Sequence, residues 1–151
     1  MRLVVQRVTE SNVKVDNKIV GKIDNGFMVL VGISNDDNEQ IIDKMIDKLI
    51  NLRVFEDENE KMNLSLLDVE GSILSISQFT LYADCKKGRR PSFVDAAKPS
   101  LAKPLYEYFN EKIEEKGIKV EKGIFGAMMD VMLINDGPVT IILDSDEIIK
   151  K

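Results

Sequence analysis

Apolar residues recur along this chain at two spacings, and the switches between them lay out the elements. Residues 3–9 are rich in valine and read as a strand. Val13-Lys14-Val15 and Ile19-Val20-Gly21-Lys22-Ile23 flank Asp16-Asn17-Lys18 and predict a hairpin. Asp24-Asn25-Gly26 predicts a second turn, leading into the apolar run 27–33, which suits a central strand covered on both faces. The spacing then becomes helical. Ile41, Ile42, Met45, Ile46, Leu49 and Ile50 form one stripe, with Asp37 as the expected cap and Gln40 three residues on. Residues 52–55 begin another strand, 56–61 form a charged loop, and 72–81 read as a strand that ends in a loop through Ser92. A second helix is expected over 100–116, where Leu101, Leu105, Phe109 and Ile113 lie four apart. Pro104 is tolerable in the first turn, whose amides have no helical partner, and Gly117 is a suitable stop. Residues 118–121, 128–134 and 139–143 read as closing strands. The expected fold is α/β, one domain over 1–151, with a mixed, mostly antiparallel sheet and two main helices.

Composition changes this picture mainly by exclusion. The chain has 151 residues and no histidine. That removes every Ser-His-Asp and Cys-His arrangement and ordinary imidazole acid–base catalysis. With one cysteine, Cys85, a zinc site would need carboxylates almost alone, so no metal is expected. The single cysteine and a charged N-terminal segment without a signal-type apolar region predict a reducing, cytoplasmic setting. No apolar run approaches the ~20 residues needed to cross a bilayer. A net charge of −5 argues against a general nucleic-acid coat, and no DNA partner is expected. One basic cluster stands out, Lys86-Lys87-Gly88-Arg89-Arg90. Charge alone makes it more simply a solvated loop than a phosphate contact.

Two segments carry candidate chemistry. The strand over 72–81 changes midway from Ile73, Leu74 and Ile76 to Ser77, Gln78 and Thr80. Strand alternation places Gln78 and Thr80 on one face. A strand end reaching solvent explains this equally well. Asn135-Asp136-Gly137-Pro138-Val139-Thr140 reads as a hairpin turn between two strands, because Asn, Asp, Gly and Pro are turn residues. Its Gly-Pro bond is of the kind that can be cis, which would aim two successive carbonyls in a similar direction.

Together, Ser77-Gln78-Phe79-Thr80-Leu81-Tyr82, Lys87-Gly88-Arg89-Arg90-Pro91-Ser92-Phe93, Phe125-Gly126-Ala127-Met128-Met129 and Asn135-Asp136-Gly137-Pro138-Val139-Thr140 resemble the D-aminoacyl-tRNA deacylases. The N-terminal Arg2-Leu3-Val4-Val5-Gln6-Arg7-Val8 fits as well, so the resemblance runs the whole chain. It implies a homodimer, free of metal and cofactor, with active sites at the subunit interface. Such an enzyme hydrolyses the ester between a D-amino acid, or glycine mischarged on alanine tRNA, and the terminal adenosine. Ser77, Gln78, Phe79 and Thr80 would line the reaction centre, with the Phe79 amide receiving the oxyanion. Thr80 makes a poor nucleophile without a base, so the ribose 2′-hydroxyl is expected to assist water. Gly137 and Pro138 would exclude L side chains, supported by Arg7, Asn135 and Thr140. Phe125 and Met129 would hold adenine, although such residues more usually belong to a core. Lys86, Lys87, Arg89 and Arg90 would touch the tRNA.

Two other classes remain open at this point. A small-molecule esterase would turn over a simple D-amino ester as fast as D-Tyr-tRNA. A non-catalytic RNA-binding module would bind tRNA without hydrolysis.

Overall fold

A computed structural model describes residues 1–149. Strand β1 (Arg2–Val15) is the organiser, because its length gives it three neighbours. On one edge, β3 (Gly26–Gly32) lies beside its first half and β2 (Lys18–Ile23) beside its second. On the other edge, β8 (Asp130–Asp144) runs antiparallel to nearly the whole of it. The β1–β2 turn is tight, since Asp16 and Asn17 both adopt positive φ, 50° and 64°.

Beyond β3 the sheet becomes parallel. Strand β6 (Ser72–Ser77) joins β3, and β7 (Val120–Lys122) joins β6. A small separate hairpin pairs β4 (Phe55–Glu56) with β5 (Met62–Leu64). The main sheet curls until β2 approaches β7, and a Cβ at Gly21 would sit 2.8 Å from the Lys122 carbonyl oxygen.

Helices α1 (Glu39–Asn51) and α2 (Pro99–Glu115) cover one face of the sheet. Leu3, Val5, Phe27, Val29, Val31 and Ile73 meet them in the larger core. A smaller core of Val8, Val13, Ile23, Met28, Leu74 and Ile76 fills the opposite face. Residues 73 to 76 alternate between the two, as a strand buried on both faces must. A short helix, α3 (Ser145–Ile148), follows β8.

Several expectations need correction. The segment 135–140 is no hairpin: 128–134 and 139–143 belong with one strand, β8, which begins at Asp130. Four residues, 136–139, bulge opposite the single residue Arg7. Strand β6 stops at Ser77, and Phe79–Tyr82 is a 3₁₀ turn, so no strand alternation holds beyond Ser77. The cap of α1 is Asn38, which accepts from the Ile41 amide at 2.9 Å. Asp37 is instead drawn to the Met1 ammonium, 2.6 Å away, and to the Ser34 amide. Leu101 is 37% exposed, and the buried stripe of α2 runs through Ala102, Leu105, Tyr106, Phe109, Asn110 and Ile113.

Candidate active site

A cleft of about 590 Å³ opens between the end of β6, the start of α2 and the loop after β7. Ser77, Gln78 and Phe79 line it as one wall, and Phe125, Gly126, Ala127, Met128 and Met129 as another; Thr80 is not among the lining residues. Ala97, Ala102 and Tyr106 close the helix side, and Val31, Ile33 and Ile76 also line it.

The first wall exists because the chain leaves the sheet abruptly. The Gln78 amide donates to the Val31 carbonyl at 2.8 Å, and the Leu81 amide donates to the Gln78 carbonyl at 3.3 Å. The opening amides of such a turn, here those of Phe79 and Thr80, have no acceptor within it. Gln78 Nε2 donates to Thr80 Oγ1 at 2.6 Å, so these side chains do meet, through a turn rather than along a strand. The Phe79 ring is 56% exposed and meets Phe93 edge-on, with centroids 5.0 Å apart.

The turn has two supports that sequence reasoning missed. Arg2 donates from Nη1 to the Leu81 carbonyl at 2.9 Å and from Nε to Asp144 at 2.8 Å, lying over the Tyr82 ring. Gly32 lies directly beneath: a Cβ there would sit 2.9 Å from Leu81 Cβ and 3.3 Å from the Gln78 carbonyl oxygen. A glycine inside an apolar strand was the available signal of a close backbone approach.

The opposite wall is packed just as closely. Phe125 meets the Tyr106 ring at 5.9 Å, and a Cβ on Gly123 would collide with the Met129 sulfur. Behind this wall, the Tyr106 hydroxyl donates to the Ser75 carbonyl at 2.7 Å. Burial raises the Tyr106 phenol above its ordinary pKa, partly offset by Ser75 and Asn110. Asn110 lies near the phenol, but neither of its amide atoms attains hydrogen-bonding geometry.

A second group of expected residues gathers elsewhere, around the β8 bulge. Neither Gly137 nor Pro138 lines the cleft of its own chain. Their peptide bond is cis. Asn135 replaces the ladder bonds lost at the bulge. Its Oδ1 accepts from the Val139 amide at 2.7 Å, and its Nδ2 donates to the Val139 carbonyl and Thr140 Oγ1, each at 3.2 Å. Gln6 also donates to Thr140 Oγ1, at 3.3 Å. Arg7 is buried. Its Nε donates to the Asp136 carbonyl at 2.9 Å and its Nη1 to the Val54 carbonyl at 2.6 Å.

Lys86, Lys87, Arg89 and Arg90 lie exposed on a loop pinned at its neck by reciprocal Asp84–Ser92 backbone bonds. The same loop leads into Phe93 at the cleft. Among the described residues, no group of three or more His, Cys, Asp or Glu side chains is placed to hold a metal. No helix there is long and apolar enough to cross a membrane.

Comparison with known proteins identifies the family. The family model described as D-Tyr-tRNA(Tyr) deacylase matches residues 4–144. The D-aminoacyl-tRNA deacylase of Bacillus pumilus (strain SAFR-032) is 63% identical over 147 residues, covering 97% of this chain and 100% of that protein. The enzyme of the same name from Thermus aquaticus is 59% identical over 147 residues, covering 97% of each chain. A solved structure named c-Myc DNA Unwinding Element Binding Protein has a TM-score of 0.90 at 40% identity, covering 95% of this chain and 98% of the other. A structure described as a probable eukaryotic D-amino acid tRNA deacylase shares the fold, with a TM-score of 0.82 at 19% identity over 94% of this chain and 97% of its own. The chain belongs to the D-aminoacyl-tRNA deacylase family, hydrolases that cleave the ester of a D-aminoacyl-tRNA.

Proposed function

We propose that the cleft receives the aminoacyl-adenosine end of the tRNA, with the ester against residues 77–80 and the adenine against Phe125 and Met129. The observation that carries this reading is that Ser77, Gln78 and Phe79 line the same cleft as Phe125 and Met129. As water attacks the ester, negative charge develops on the carbonyl oxygen. The Phe79 amide opens a turn and is oriented before reaction begins, which is what oxyanion stabilisation requires. Thr80 Oγ1 accepts a hydrogen bond from Gln78, and no histidine exists to deprotonate it. We therefore assign activation of the water to the terminal ribose 2′-hydroxyl and no covalent step to the protein.

Selection belongs to Gly137 and Pro138 acting in the cleft of a partner subunit. Two observations support that placement. The bulge lies apart from its own chain's cleft. It also stands on β8, whose outer edge has no strand partner among the described residues and whose Met132, Ile134 and Ile142 are exposed. An apolar face of this kind suits a second copy of the chain in a homodimer. Backbone carbonyls facing the amino acid would reject an L side chain and admit a D residue or glycine, including glycine on alanine tRNA. That is selection by exclusion rather than by added contacts. The exposed cations of residues 86–90 would meet phosphates near the acceptor end in the cytoplasm.

A paired deacylation assay tests this reading. D-aminoacyl-tRNA should be cleaved and the L form left intact. Equal turnover of both would remove the filter, and equal turnover of a small D-amino ester would remove the adenosine wall.

A further inference from the structure

Ser75 lies two residues before the turn wall, and its carbonyl oxygen has two donors from different parts of the fold. The Gly123 amide reaches it from the loop after β7, at 3.3 Å, and the Tyr106 hydroxyl reaches it from α2, at 2.7 Å. Onward from Ser75 the chain leads to Ser77 and Phe79, and onward from Gly123 it leads to Phe125 and Met129. One carbonyl therefore joins the roots of both cleft walls. Tyr106 also touches the far wall directly, through its ring contact with Phe125 at 5.9 Å.

The surroundings point the same way. Ser75 and Asn110 are both fully buried polar residues, and Asn110 sits by the Tyr106 phenol. Asn110 lies one helical turn beyond Tyr106 on the buried stripe of α2. Burying polar side chains costs desolvation, and an apolar layer would serve α2 better. Local departures of this kind concentrate where the fold is shaped for a site.

We propose that Tyr106 is a positioning residue for the deacylation. Its hydroxyl fixes the end of β6 that aims residues 77–80, and its ring fixes the Phe125 wall. This rests on the reading of that wall as the adenosine site. The two halves of the side chain then have separable effects. The hydroxyl governs how well the reacting groups are aimed and so acts on kcat. The ring governs how well the nucleoside is held and so acts on KM.

Steady-state deacylation of D-aminoacyl-tRNA by Y106F and Y106L tests this, with circular dichroism melts run on both. Tyr106→Phe keeps the ring and should lower kcat about tenfold with KM within about twofold of wild type, because misaiming at the reaction centre acts on the chemical step. Tyr106→Leu loses both halves and should raise KM about fivefold further. A folded Y106F with wild-type kcat overturns the proposal. So does a kcat loss that vanishes when a stabilising osmolyte restores the melting temperature. Phe125→Ala checks the underlying reading separately. An unchanged KM there removes the adenosine wall while leaving the kcat effect of Y106F to be judged alone.

Discussion

A methyl group added at Gly32 tests how finely the 3₁₀ turn is placed. Its Cβ would lie 2.9 Å from Leu81 Cβ and 3.3 Å from the Gln78 carbonyl oxygen. Relaxed carbon–carbon contacts lie at about 3.5–4.0 Å, so the turn must retreat by roughly 0.6–1.1 Å. The obstacles are a Cβ and a carbonyl, so rotating a side-chain tip cannot relieve them. The turn is also tied to β3 by the bond from the Gln78 amide to Val31 and to β1 by Arg2 on the Leu81 carbonyl. It therefore moves as a unit and takes the Phe79 amide with it. A misplacement of about 1 Å can cost about 100-fold, near 2.7 kcal/mol on the barrier. The overpacking should cost about 1–3 kcal/mol of stability. The assay is single-turnover deacylation with enzyme in excess, which reads chemistry rather than product release. Gly117→Ala is the control. Gly117 ends α2 at φ +84° with nothing within 4 Å of an added Cβ, so the variant incurs backbone strain without touching the turn. G32A should be 10- to 100-fold slower and G117A unchanged, on the misplacement scale just given. A G32A rate within twofold of wild type, or an equal loss in G117A, would refute the placement argument.

Four further outcomes are expected. Asp37→Asn leaves the buried Met1 ammonium without its carboxylate, 2.6 Å away, and should lower stability by about 3–5 kcal/mol in urea titration; a change below about 1 kcal/mol would show that the pair is not needed. Arg7→Ala frees the Asp136 and Val54 carbonyls and should lower the D-to-L rate ratio; an unchanged ratio in the folded variant would detach Arg7 from selection. Thr80→Ala should reduce turnover by no more than about tenfold, whereas complete inactivity with intact tRNA binding would restore Thr80 as a nucleophile. A substrate ending in 2′-deoxyadenosine should react much more slowly, and an equal rate would count against help from the ribose hydroxyl.

The fold was legible where its signals were local. The Asp16-Asn17 hairpin, the β3 run and the stripe of α1 all follow from neighbours in sequence. Errors arose where a distant partner decided the outcome. Asp37 and Asn38 are both capping residues, and only the Met1 ammonium, brought in from the chain start, explains why Asn38 caps the helix. Asn135-Asp136-Gly137-Pro138 has the chemistry of a turn. Its flanks nonetheless pair with the same strand, because Asn135 supplies the bonds the bulge removes and β1 is long enough to accept both halves. The site divides similarly. Ser77 to Thr80 showed themselves by polarity at the end of an apolar strand. Phe125 and Met129 pointed to a nucleoside only through family resemblance. Tyr106 and Asn110 gave no sign, since a tyrosine on a helix face looks like core until the carbonyl it meets is known.

The supports of the site share one device. Arg2 donates to the Leu81 carbonyl, Arg7 to those of Asp136 and Val54, and Tyr106 to that of Ser75. Leu81 lies in the 3₁₀ turn, Asp136 begins the bulge, and Ser75 leads to the turn wall. If the oxyanion donor and selectivity filter are main chain, as proposed, this histidine-free enzyme is tuned little by exchanging the working groups, because the backbone carbonyl and, proline aside, the amide are the same in every residue. It can be tuned by where the main chain is held. Side-chain donors on adjoining carbonyls do this with charge-assisted or phenolic hydrogen bonds, which weaken as the backbone shifts out of their geometry. Substitutions that change selectivity or rate in this chain should therefore fall at Arg2, Arg7, Gly32 and Tyr106 as much as at residues facing the cleft.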